Sequence, residues 1–281
     1  MAFNGFSKDS FIFLQDFTKN FTSEWFKQNK NRYDDILRPE LISLFEDIAD
    51  KYIKQARPEF ETTAKSTYCI AKINKQPGQR EGETLYWNFL WGAFYRKKMK
   101  GKSHDLQFFI SIHPEYFECG LFLGDAASNS LRKSIKDSVR TKKDKFISLA
   151  KSMNGYSFPV VDEPKDPLVE HDNSINNKKD LEEWLNTEKL KVQRKYYFKH
   201  DNVIFTSSLV DAVIEDYKRF EPIYSIMINE SSEIPNKVNV KGEFNKVDII
   251  SLLKKKKQII LYGPPGTGKT YFTKKIAIDI M

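Results

Sequence analysis

Leu106-Gln107-Phe108-Phe109-Ile110-Ser111-Ile112 and Tyr116-Phe117-Glu118-Cys119-Gly120-Leu121-Phe122-Leu123 decide the fold. Each run is short, aromatic and β-branched, and a brief turn divides them, which reads as two strands of a hairpin. Leu85 to Lys97, just upstream, has the same character, and Tyr68-Cys69-Ile70-Ala71-Lys72-Ile73 is strand-like before it. Gln76-Pro77-Gly78-Gln79 marks a turn. The stretch 68–123 therefore predicts an antiparallel meander, with Gly92 read as a bulge position.

Helical patterns flank this centre. Ser7 is placed to cap a helix that buries Phe11, Leu14 and Phe17, and a second short helix starts at Ser23 with Trp25 and Phe26 as anchors. From about 31 to 55, Leu41, Leu44, Phe45, Ile48 and Tyr52 share one helical face. Pro39 predicts a break and restart within that stretch. Downstream, helix returns over 129–152, and a loop carries Pro159, Pro164 and Pro167. Asn177 caps a helix near 178–188, and 191–205 reads as extended or irregular. Thr206 or Ser207 starts an amphipathic helix through Phe220 that Pro222 ends. The expected class is α+β, with helices flanking an antiparallel sheet over residues 6–228.

Residues 229–244 are polar and aperiodic, and read as a linker. Beyond it, Gln258-Ile259-Ile260-Leu261-Tyr262 reads as a buried strand and leads into Gly263-Pro264-Pro265-Gly266-Thr267-Gly268-Lys269-Thr270. Tyr271 opens a segment with Phe272, Ile276 and Ile280 on one helical face. Strand, glycine loop and helix is the context that makes this pattern a P-loop. Glycines let backbone N–H groups cradle phosphate oxygens, and the helix N-terminus adds partial positive charge. Lys269 would reach the β- and γ-phosphates, and the Thr270 hydroxyl would ligate Mg²⁺. The expected cofactor is ATP or GTP with Mg²⁺, bound by residues 263–271. The chain stops at Met281, so the expectation is the truncated start of a P-loop α/β domain over 245–281. It shows no Walker B strand and no arginine finger after the loop, and alone should not hydrolyse NTP.

The form GPPGTGKT resembles the AAA+ family, and the entry through Leu252-Leu253 and the lysine run 254–257 resembles McrB-type restriction motors. That resemblance implies GTP, a homo-oligomeric ring, DNA as track and a partner nuclease. The larger domain has a likeness of its own. Phe11-Ile12-Phe13-Leu14, Trp25-Phe26-Lys27-Gln28-Asn29-Lys30-Asn31-Arg32-Tyr33 and Pro39 resemble the opening of a widespread bacterial domain family of unknown function. Its members carry W-F-x-x-N-K-x-x-Y followed by a proline. The likeness resumes at His113-Pro114 through Gly124, at Leu131-Arg132-Lys133, and at Phe205 through Pro222. Between 72 and 102 this chain departs from the family's charged segment.

Composition bounds the rest. Apolar residues make up 40 % of 281 and aromatics 14 %, enough for a sizeable core. Cys69 and Cys119 are too few for a disulfide framework, and His104, His113, His171 and His200 lack metal-ligand spacing. No long apolar segment points to a membrane, and a cytoplasmic location is expected. Residues 51–150 hold 19 Lys and Arg against 10 Asp and Glu, a positive middle that suits nucleic acid or a solvated lysine surface. Within it, Trp87, Phe89, Trp91 and Tyr95 share a strand face beside the basic turn Arg96, Lys97, Lys98, Lys100 and Lys102. Such a set can stack an extruded base while lysines hold flanking phosphates; the alternative is core aromatics beside a soluble turn. Arg132, Lys133, Lys136, Arg140, Lys142, Lys143 and Lys145 form a second basic set.

The function expected from these readings is a DNA-reading domain, modified bases included, ahead of an NTP-binding ring motor in a restriction system. The alternatives are a protein-interaction module and, less favoured, an enzyme of unrecognised chemistry.

Overall fold

The computed structural model describes residues 2–75, 85–161, 170–171, 173–187 and 189–230. The chain divides into two units, Met1–Ser232 and Glu233–Met281, and all described residues belong to the first. The P-loop, most of the expected linker and the turn at 76–79 lie outside the described residues.

Helix α1 (Lys8–Lys19) starts where expected, because the Ser7 hydroxyl accepts from the Ser10 N–H. It buries Phe11, Phe13, Leu14 and Phe17. Thr22 caps α2 (Ser23–Gln28) in the same manner. A continuous helical run follows: α3 (Lys30–Arg32), a π-helical turn (Tyr33–Leu37), α4 (Arg38–Ile48), a second π turn (Ala49–Ile53) and α5 (Lys54–Ala56). Pro39 does not break it, and Leu37 and Arg38 both keep right-handed helical angles. The hydrogen-bond register widens just before the proline, which then occupies the first turn of α4, where a missing N–H is tolerated.

Strand β1 (Phe60–Glu61), not expected from the sequence, edges the predicted meander of β2 (Leu90–Arg96), β3 (Leu106–Ile112) and β4 (Tyr116–Leu123). Lying apart from it, β5 (Val160–Val161) and β6 (Glu170–His171) make a two-stranded pair, and β7 (Lys191–Tyr197) completes the five-stranded antiparallel sheet β1-β2-β3-β4-β7. The strand expected over 68–73 is reduced to one bridge, Ile70 opposite Gly92, flanked by Ala71 N–H to Trp91 O and Ala93 N–H to Cys69 O. Gly92 is no bulge, since it sits in register opposite Ile110. A Cβ there would lie 2.7 Å from both the Phe45 ring and the Cys69 carbonyl, so close approach of α4 is what requires glycine. Segment 191–197, left between extended and irregular, is extended and pairs along its length with β4. Arg194 at an inward position hid its alternation.

Helices α6 (Asn129–Thr141) and α7 (Lys143–Ser152) meet at a joint on Lys142, and Asn177 caps α8 (Lys178–Asn186) as predicted. Helix α9 (Ser208–Met227) runs through Pro222 instead of ending there, and Ser207 makes no side-chain cap. A proline inside a helix costs about 3 kcal/mol. Burial of Ile223, Tyr224, Ile226 and Met227 beyond it offsets that cost.

The core lies between α1, α4, α9 and one face of the sheet. Phe45 meets Phe94 at 4.8 Å between ring centroids, Phe108 meets Tyr217 at 4.9 Å, and Phe6 meets Phe117 at 6.0 Å. The carboxylate of Asp216 on α9, 2 % exposed, enters this layer. It accepts from the Tyr156 and Tyr196 hydroxyls, the Cys119 thiol and Arg194 Nη1. Its desolvation is thus met by four donors. Among the described residues no helix is long and apolar enough to cross a membrane.

Candidate ligand-binding face of the sheet

Side chains alternate along each strand, so the residues between the core positions point away from α9. Pairing arranges them in rows. Trp91, Ser111, Glu118 and Lys195 lie across one row; Ala93, Phe109, Gly120 and Gln193 across the next; Gln107, Phe122 and Lys191 across a third. This outward face has a polar, buried centre and a partly exposed aromatic edge.

At the centre, Glu118 is 3 % exposed. Lys191 Nζ lies 3.1 Å from both of its oxygens, the Ser111 hydroxyl donates to Oε1 at 3.1 Å, and His113 Nε2 lies 3.3 Å from Oε1. Burial pushes the Glu118 pKa up, but the Lys191 charge and the bonds from His113 and Lys191 outweigh it and hold it down at about 2. His113 Nε2 also meets Ser111 Oγ. This is not a nucleophilic relay, because serine and carboxylate face the same imidazole nitrogen. In a relay the carboxylate takes the other one. The cluster is an ionised, satisfied polar platform.

Gln107 differs. It is 0 % exposed, and neither its Nε2 nor its Oε1 has a hydrogen-bond partner. Its neighbours Leu106 and Phe108 face the core, so the amide belongs to the outward side.

The aromatic edge is graded. Phe89 stacks on His113 at 4.9 Å and 13°, and His113 stacks on Tyr116 at 4.4 Å and 19°. Lys195 Nζ sits 5.2 Å from the Tyr116 ring, Lys102 Nζ 5.6 Å from Trp91, and Lys75 Nζ 5.1 Å from Trp87. Cations and rings therefore interleave along the face.

The residues singled out in the sequence divide between roles. Trp87 and Trp91 are partly exposed on the outward face, whereas Tyr95 is buried and its hydroxyl pKa is pushed up to about 12 by that burial. Arg96 is engaged with fully buried Asp105, which holds its charge in place. Lys102 donates to the Tyr68 and Ile70 carbonyls, and burial lowers its pKa. Lys97, Lys98 and Lys100 are exposed, with Lys97 Nζ 3.3 Å from the Pro58 carbonyl. In the second basic set, Arg132 binds the carbonyls of Gly124, Asp125 and Ala127, Arg140 pairs with Glu182, and Lys142 bonds Asn229 and Glu230. Gln107, Ser111, Glu118, Lys191 and Gln193 were not singled out. Their one signal was polar residues recurring at every second or fourth position inside otherwise apolar strands.

Among the described residues no group of His, Cys, Asp and Glu could hold a metal ion. Gly263 to Tyr271, the expected nucleotide contacts, and Thr270, the expected Mg²⁺ ligand, lie outside the described residues. A family model described as "Conserved hypothetical protein (DUF2461)" matches residues 9–225. No curated protein matches the chain.

Proposed function

The chain belongs to the DUF2461 family, whose description carries no activity, and we propose from the geometry that its domain is a nucleic-acid recognition module. The outward face of the sheet takes unpaired or extruded bases. The observation that supports this is the interleaving of partly exposed rings, Trp87, Phe89, Trp91 and Tyr116, with the ammonium groups of Lys102 and Lys195. Bases stack on such rings for about 1–3 kcal/mol each, whatever their sequence, while cations hold the phosphates. Exposed Lys97, Lys98 and Lys100 extend the positive field from the β2–β3 turn.

In this reading the recognition domain precedes an NTP-binding motor. GPPGTGKT at 263–270 supports that order, and its resemblance to McrB-type motors supports a restriction or defence role with DNA, modified bases included, as the ligand. Bound ATP or GTP with Mg²⁺ would supply the energy for ring movement. Lys269 and Thr270 are the residues that would hold it.

Fluorescence anisotropy of the full chain with labelled single-stranded and modified duplex DNA tests the reading. Binding should weaken steeply with salt and fall about 5- to 150-fold in Trp91→Ala, the range that loss of one stacked base predicts. Absence of binding at low salt, or binding indifferent to salt and to Trp91→Ala, rules out this face as a nucleic-acid reader.

A further inference from the structure

We propose that Gln107 is a base-reading group, and that the outward face accepts an adenine-type base at its centre. The inference rests on the nucleic-acid reading above but concerns different residues. Leaving a buried amide unpaired costs about 1–3 kcal/mol per polar group, and Gln107 leaves both its donor and its acceptor in that state. Packing does not need this, because a methionine of similar volume would fill the space without the cost. An amide offering one donor and one acceptor side by side matches adenine, whose 6-amino group and N7 present the complementary pair.

The surroundings fit such a ligand. Gln107 lies directly across from Phe122, which is partly exposed, and Phe109 is on the neighbouring row of the same face. The two rings stand edge to face at 6.2 Å between centroids. Glu118 and Lys191 neutralise each other, so the centre carries no net charge to repel a neutral heterocycle. Partly exposed Phe122 lies next to the amide in the same row, and an entering base displaces its ring while the Glu118–Lys191 pair stays intact. The phosphates of the strand then remain at the cationic edge, with Lys102 and Lys195.

The competing account is a trapped water serving the amide. Titration of the full chain with free adenosine, purine riboside, guanosine and thymidine separates the two, read by the fluorescence of Trp87 and Trp91 and by thermal unfolding. Adenosine should bind, and purine riboside, which lacks the 6-amino group, should bind at least tenfold more weakly. Gln107→Met should lose adenosine binding while its melting temperature stays level or rises. No response to adenosine, equal binding of adenosine and purine riboside, or unchanged adenosine binding by a folded Gln107→Met would each overturn the proposal. The riboside comparison uses only the wild-type chain and stands even if the variant does not fold. Oligonucleotide binding that persists while every nucleoside is inert would leave the aromatic edge as reader and assign the amide to water.

Discussion

The two faces of one sheet treat polar groups differently. On the inward face the buried carboxylate of Asp216 has four donors around it. On the outward face a platform of Ser111, Glu118 and Lys191 is satisfied, but Gln107 beside it is fully buried with nothing to bond. Both faces come from the same strands and the same alternation, so chain composition does not explain the difference. The inward face also carries such a cost, since the Tyr224 hydroxyl is buried without a partner, but it leaves one hydroxyl open where the outward face leaves a whole amide. A face that must meet a ligand holds some bonding capacity in reserve, at a cost to the free protein.

Substitutions test this contrast. Asp216→Asn should have the largest effect, because it sets an amide donor against two tyrosine hydroxyls and an arginine; we expect a loss of about 3–5 kcal/mol in urea unfolding. DNA binding by whatever fraction remains folded should be unaltered, and a specific binding defect would blur the two faces. Glu118→Gln comes next. The Glu118 pKa lies below its ordinary 4.5, so its stabilisation is fully present above that pH and is lost as pH falls toward 2. The variant should be less stable at neutral pH by about 3 kcal/mol, converting the shift at 1.36 kcal/mol per unit, and its stability curve should be flatter between pH 4.5 and 2. A wild-type acid profile identical to the variant's would mean that Glu118 is not held by Lys191 in solution.

Gly92→Ala tests the inward face by overpacking. Its new Cβ meets the Phe45 ring and a backbone carbonyl at 2.7 Å, and only the ring can give way. We expect a melting-temperature drop equivalent to about 1–3 kcal/mol. No drop would show that α4 packs less closely on β2 than described. The smallest effect on stability belongs to Lys98→Ala combined with Lys100→Ala, two exposed turn residues, within about 0.5 kcal/mol. Their signature should be electrostatic: the log–log salt slope of DNA binding should fall by about one per lysine that touches a phosphate. An unchanged slope would confine recognition to the aromatic edge.

Much of the fold was legible because local signals agreed with tertiary packing. Ser7 and Asn177 each cap the helix predicted for them, and strands 106–112 and 116–123 stand where aromatic and β-branched density placed them. The failures share a cause. Pro39 and Pro222 read as helix breaks, yet a π turn absorbs the first and buried apolar residues carry the helix past the second. Lys191 to Tyr197 stayed between extended and irregular because Arg194 occupies an inward position, and its proximity to Asp216, 22 residues away, makes an arginine tolerable there. The candidate site was half legible. Trp87 and Trp91 were read as face-sharing aromatics, but Arg96 was counted among free cations when Asp105 holds it.

The sequence by itself determined the α+β class, most helix starts and the central strands, since these rest on periodicity, capping and turn chemistry within a few residues; the family of residues 9–225 came from likeness to a family model instead. Tertiary structure alone decided which charges are spent inside the domain, that β7 completes the sheet, and that Gln107, Ser111, Glu118 and Lys191 meet on one face. Those facts depend on which strands lie side by side, and strand pairing joins residues as distant as Glu118 and Lys191 through contacts that no local pattern records.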